Sequence, residues 1–246
     1  MATAWRGLFS SFKDAISDTK HPTDPWKDEK WIKYVPRKLK NHLDSPLPII
    51  PHVLKYCDNT RDIYILDIGG NTGSHFDLLG EEYDPYINEI HYYCIDNEYV
   101  CEIGKQLNPS VKFYSNLNDL PTLKSNFNFQ QHFRWDIIYL NSTLQYIEDW
   151  KSLLQNLQNL KNLAPDYFIF ERLSVTTNPT FVTLQTDMDG YEVPYRFINE
   201  KEFIDTFLSM NNEYQLIYRC KSEPLDDRLD GLDWPVFTSN LIFVRK

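Results

Sequence analysis

The chain has 246 residues, 42% of them hydrophobic and 15% aromatic, enough to bury one substantial α/β core. Its net charge of −10 argues against a nucleic-acid partner, because such binding draws on clustered Lys and Arg to displace counterions. Four cysteines without metal-ligand spacing, and the lack of a secretory or membrane-spanning run, fit a reduced cytoplasm, no membrane insertion and no bound metal.

The opening "MATAWRGLFSSFKDAISDTK" reads as a mature N-terminal segment with an amphipathic helical patch near Ser10 to Ile16. Between His21 and Pro51, prolines and charges alternate with aromatics, which predicts short helices and turns packed on a larger body. From Arg61 the chain becomes regular. The apolar runs "IYILDIG", "HYYCIDN", "VKFYSN", "WDIIYLN" and "DYFIFERLSV" predict five buried strands. Helices are predicted over Ser74 to Gly80, over Glu98 to Leu107 and in "DWKSLLQNLQNLKNL". In the last, Leu153, Leu154, Leu157, Leu160 and Leu163 share one face. This alternation implies right-handed crossovers and a doubly wound, mostly parallel sheet. A helix in "NEKEFIDTFLSMN" and the strands "YQLIYRC" and "SNLIFVRK" follow, the two strands closing as an antiparallel terminal pair. We therefore expect a seven-stranded sheet over residues 61–246, preceded by a helical extension or lid over residues 1–60.

"ILDIGGNTGSHF" runs a strand into an acid and a glycine-rich turn. In open α/β sheets ligands bind beyond the carboxyl ends of the strands, where strand order reverses, and Asp67 to Gly73 would stand there. A dinucleotide fingerprint needs glycines at offsets zero, two and five. From Gly69 those positions hold Gly69, Asn71 and Ser74, so two of the three fail. The turn, with Asp67, Gly69, Gly70, Asn71 and Gly73, instead resembles the first motif of Rossmann-like methyltransferases, whose loop backbone approaches the aminocarboxypropyl group of S-adenosylmethionine. Asn71 stands at the usual middle glycine, and Asn tolerates the positive φ required there.

Asp96, followed by Asn97, ends the second strand, where a carboxylate can accept both hydroxyls of a ribose. Asn116 and Leu117 end the third and are candidates to read an adenine edge. Asn141 and Ser142 end the fourth. Each has a competing structural reading. Asp67 could cap the turn, Asp96 and Asn116 could be turn formers, and Tyr92, Tyr93, Trp135 and Tyr139 fit core packing better than a cofactor platform.

Five stretches carry a full-length resemblance: "WRGLFSSFKDA", "LDIGGNTGSHF", "LNSTLQYIEDW", "FIFERLSV" and "FVTLQTDMDGYEVPYRFINEKEF". The chain resembles a family of S-adenosylmethionine-dependent methyltransferases associated with bacterial surface-polysaccharide gene clusters. The resemblance implies the Rossmann-like class I methyltransferase fold and methyl transfer to a small-molecule or glycan acceptor. It places the acceptor above the fourth and fifth strands, near Gln145, Tyr146, Glu171, Arg172 and an insertion with Gln185, Asp187, Tyr191, Tyr195 and Arg196. Glu171 is the candidate general base and Arg172 a candidate anion anchor; the competing reading makes them a structural ion pair. His75 could face the cofactor or act as base, or simply pack the helix start. Asp226, Asp227, Arg228 and Asp230 read as a solvated loop. A catalytically degenerate protein that binds the cofactor or a partner is the alternative, prompted by Asn71 and by the absence of an unmistakable base.

Overall fold

The structure is a computed structural model that describes residues 4–20, 49–58, 61–79, 89–120, 134–160, 164–186, 192–225 and 234–246. Strand β1 (Ala4–Phe9) and helix α1 (Phe12–Asp18) open the chain, and Ser11 caps α1 by accepting from the Asp14 amide at 3.1 Å. After α2 (Ile50–Leu54) come β2 (Ile63–Ile68), α3 (Ser74–Leu79), β3 (Ile90–Ile95), α4 (Glu98–Leu107) and β4 (Lys112–Tyr114). The second half holds β5 (Ile137–Asn141), α5 (Trp150–Gln158), β6 (Tyr167–Thr176), β7 (Phe181–Thr186), β8 (Glu192–Asn199), α6 (Glu200–Met210), β9 (Tyr214–Lys221) and β10 (Val236–Arg245).

The five expected strands pair in parallel in the order β4-β3-β2-β5-β6. β10 then lies antiparallel to β6, and β9 antiparallel to β10, as the terminal pair was expected to close. Among the described residues ten strands are connected, however, and not the expected seven. Of the extra three, β7 lies between β1 and β8 and runs antiparallel to both, and β8 joins the rest through Val175↔Ile198 and Thr176↔Asn199. The cause lies in β6. Its ten residues pair with β5 only as far as Glu171, so its second half keeps an edge open for β8. Pro194 is tolerated in β8 because β8 pairs with β6 only at Ile198 and Asn199, leaving one edge of Pro194 without a ladder. Within the N-terminal segment, expected to be helical, Ala4–Phe9 thus forms a strand. Arg6 on that strand ties it to β8 by donating to Glu192 at 2.6 and 2.8 Å.

Side-chain alternation divides the strands between two cores. On one face Leu66, Ile138, Leu140, Phe168 and Phe170 pack against Leu154 and Leu157 of α5 and Phe203 and Phe207 of α6. Leu153 and Leu160 border this core, whereas Leu163 lies outside the described residues. On the other face Ile63, Ile65, Tyr92, Cys94, Ile137, Tyr139 and Ile169 pack under Ile50, Val53 and Leu54 of α2. Continuing that second face by two residues reaches Asp67, Asp96, Asn141 and Glu171. One period-two pattern therefore delivers four polar side chains to one face at the carboxyl edge of four neighbouring strands. Among the described residues no helix is long and apolar enough to cross a membrane, and the four cysteines are unpaired.

Candidate functional site at the strand-order reversal

Strand order reverses between β2 and β5: the chain goes from β2 outward to β3 and β4, then returns to β5 on the other side. The glycine-rich turn lies at this point. Gly69 has φ +70 and packs so tightly on Thr143 that an added Cβ would sit 2.5 Å from its Oγ1. At Gly70 a Cβ would fall 2.3 Å from Asp67 Oδ2 and 2.8 Å from Cys94 Sγ, so the backbone passes directly over the buried acid. Asn71 adopts φ 56, the conformation a glycine would supply, which removes the motive for reading the turn as degenerate. Its amide donates to Asp96 Oδ2 at 2.9 Å, tying the turn to the end of β3.

Among the described residues, only three non-glycine residues take a left-handed backbone: Asn71, Ser142 (φ 53) and Arg172 (φ 52). All three lie at the carboxyl ends of adjacent parallel pairings, β2, β5 and β6. Such conformations cost about 1–3 kcal/mol each and collect at functional sites. At Arg172 the cause is a bulge. Phe170 pairs with Leu241 and Leu173 with Ser239, so Glu171 and Arg172 together face Asn240 alone. The bulge lets both side chains reach the same polar network instead of opposite faces.

That network is continuous. Asp67, fully buried, accepts at Oδ2 from the Tyr92 hydroxyl at 2.7 Å and meets His75 Nδ1 at 3.0 Å. His75 Nε2 lies 3.2 Å from Asn141 Nδ2, which also donates to the Tyr139 hydroxyl at 2.7 Å. Tyr139 donates in turn to Glu171 Oε2 at 2.8 Å, and the Ile49 amide donates to the same oxygen at 3.1 Å. Arg172 Nε donates to Asn141 Oδ1 at 2.8 Å. Because a guanidinium can only donate, the Asn141 oxygen must face Arg172 and its NH2 must face Tyr139 and His75. His75 Nε2 is then an acceptor, and the ring proton sits on Nδ1, directed at Asp67. Burial first, then the neighbouring carboxylate, pushes the hydroxyls of Tyr92 and Tyr139 well above the usual tyrosine range, so both remain donors.

The structure thus gathers Asp67, the glycine turn, His75, Asp96, Asn141, Glu171 and Arg172. Glu171 is buried, and no ion pair joins it to Arg172 or to any other described residue. Asn97 caps α4, accepting from the Val100 amide at 3.0 Å, and donates to Asp96 Oδ1 at 3.2 Å. Asn116 is exposed and accepts from the Asn118 amide, with Leu117 half-buried beside it at the end of β4. Gln185 and Tyr195 lie on the added strands β7 and β8. Gln185 accepts from the Tyr146 hydroxyl at 2.7 Å. Tyr195 is buried among Trp5, Tyr146 and Phe197, its hydroxyl on Ser174, and burial pushes it up to about 12. Arg196 donates to the Ile147 and Glu148 carbonyls and stacks on Phe12, so it holds the loop after β5. Asp187, Tyr191, Asp226, Asp227, Arg228 and Asp230 lie outside the described residues.

Sequence reading missed Tyr92 and Tyr139 as parts of the site. Their rings do pack in the core, as expected, but a buried phenol needs a partner for its hydroxyl, and that requirement was the available signal. At the opposite end of β2 and β3, ligand-type atoms of Asp62, Glu89 and His91 lie within 4.8 Å of one another.

No family model and no curated protein matches this sequence. Solved structures do match. A SAM-dependent methyltransferase from Methanosarcina mazei is 17% identical at a TM-score of 0.53, over 79% of this chain and 97% of that one. The magnesium protoporphyrin IX methyltransferase from Synechocystis PCC 6803, solved with bound SAM, is 13% identical at a TM-score of 0.51, over 95% and 94%. The chain has the fold of S-adenosylmethionine-dependent methyltransferases. In this methyltransferase fold the strands β1, β7 and β8 stand beyond the seven that the sequence predicted.

Proposed function

We propose that the protein transfers a methyl group from S-adenosylmethionine to an oxygen of a small-molecule or surface-glycan acceptor, such as a sugar or sugar phosphate, in the cytoplasm. One observation carries the reading: acids end β2 and β3 on both sides of a glycine turn, and a third acid faces them from β6 at the strand-order reversal. The turn fits this cofactor better than a dinucleotide. A pyrophosphate needs free amides and a positive field, whereas here the Asn71 amide is already given to Asp96 and carboxylates flank the loop. Asp67 Oδ1 is buried with no partner among the described residues, which favours a cationic ligand above it.

Asp67 and the turn Gly69, Gly70, Asn71 and Gly73 would hold the aminocarboxypropyl end. Asp96, oriented by Asn97, would accept from the ribose hydroxyls, with Asn116 and Leu117 at the adenine. Bound S-adenosylmethionine supplies a methyl carbon already activated by the charged sulfur, so the chain must mainly align the acceptor and take its proton. Glu171 is the proposed base. Tyr139 and the Ile49 amide fix Oε2, and Oε1 has no partner among the described residues. His75, with both ring nitrogens engaged, positions Asn141. Gln185 and Tyr195 border the acceptor side.

Asp96→Ala tests this arrangement. It removes charge-assisted bonds of roughly 1.5–3 kcal/mol each, before compensation by water. Calorimetry should show S-adenosylhomocysteine affinity down by at least about tenfold, 1.4 kcal/mol being a decade. A folded variant that binds normally would reduce Asp96 to a turn residue.

A further inference from the structure

We infer that the acceptor, on the methyltransferase reading above, carries an anionic group, a carboxylate or a phosphate, held by the guanidinium of Arg172. Arg172 is half-buried at the bulge of β6, on the site's polar network. Two bonds fix its root: its amide donates to Asn240 Oδ1 at 2.8 Å and its Nε to Asn141 Oδ1 at 2.8 Å. Its terminal nitrogens have no carboxylate or carbonyl partner among the described residues.

That sets it apart from the other described arginines. Arg6 pairs with Glu192 and Asp18, and Arg61 with Asp136. Arg134 and Arg245 share Asp166, and Arg219 holds Glu200. Arg196 spends its terminal nitrogens on two carbonyls. In a chain of net charge −10, a fixed guanidinium that no acid matches among the described residues is a built cation, not a shortage of acids. Partial burial without a counter-charge costs free energy that an anionic ligand would recover. The planar fork suits a carboxylate or phosphate, which can accept two parallel N–H bonds. With Nε held by Asn141, the terminal pair is already oriented. Glu171, the adjoining residue, would then face the hydroxyl of the same acceptor, so one bulge supplies both the base and the anchor.

The same anion chemistry could come from the cofactor's own carboxylate, and the test separates the two. Protein labelled with 15N-arginine and saturated with S-adenosylhomocysteine is titrated with inorganic phosphate, following the Arg172 Nε–H resonance assigned by its loss in Arg172→Lys. The expected result is a saturable shift that sodium chloride at equal ionic strength does not reproduce, with no displacement of S-adenosylhomocysteine. Absence of a phosphate-specific shift overturns the inference. Competition between phosphate and S-adenosylhomocysteine also overturns it, by placing the cofactor's carboxylate on Arg172. Arg172→Gln should keep S-adenosylhomocysteine affinity within about twofold, and a tenfold loss counts against the acceptor assignment in the same way. If the native protein does not bind S-adenosylhomocysteine at all, the methyltransferase reading fails and the acceptor assignment with it. The phosphate shift then still decides whether Arg172 binds an anion.

Discussion

Glu171→Gln is expected to leave S-adenosylhomocysteine binding within about twofold of the parent while turnover falls by about a hundredfold or more, the range for losing a general base. The substitution is close to silent for the fold. An amide oxygen can accept from both the Tyr139 hydroxyl and the Ile49 amide as Oε2 does now, which turns the NH2 toward the acceptor. A base thereby becomes a donor, with little change in shape. The assay needs an acceptor, found by following labelled methyl transfer onto sugar nucleotides and capsule-type glycans, and then compares binding and turnover in the one variant. Unchanged turnover would remove Glu171 from the chemistry. A joint loss of folding and binding would make it a structural acid that seats Ile49 and Tyr139.

Phe207→Ala should be the most damaging change away from the site. Phe207 is fully buried, and its ring lies 4.2 Å from that of Phe243, 5.1 Å from Phe168, 5.5 Å from Phe170 and 5.7 Å from Tyr214. It therefore joins α6 to β6, β9 and β10 at once. Removing such a ring costs about 3–5 kcal/mol, the lost burial plus the cavity left behind. At roughly 2–4 °C per kcal/mol for a chain of this size, the melting midpoint should drop by about 6–20 °C. Phe207→Leu keeps more apolar volume and should lose about half of that or less. A drop of under about 2 °C for the alanine variant would mean that the aromatic cluster does not hold α6 to the sheet.

Much of the candidate site's polar cluster was legible because strand ends announce themselves. Asp67, Asp96, Asn141 and Glu171 each close an apolar run, and α4 runs from Glu98 to Leu107 as its periodicity predicts. The left-handed turn at Asn71 followed from residue chemistry alone. What stayed hidden depends on partners distant in sequence. The strands β1, β7 and β8 exist because β6 outruns β5, and no local pattern records that overhang. The bulge that turns Arg172 toward Asn141 is set by Asn240, 68 residues away. The hydroxyls of Tyr92 and Tyr139 have meaning only once Asp67 and Glu171 lie against them.

Calorimetry of the unmodified protein with S-adenosylhomocysteine, NAD and NADP decides which cofactor the glycine turn takes. S-adenosylhomocysteine should bind at micromolar levels, about −8 kcal/mol, with no comparable affinity for either dinucleotide. Tight binding of NAD or NADP with none of S-adenosylhomocysteine would contradict it.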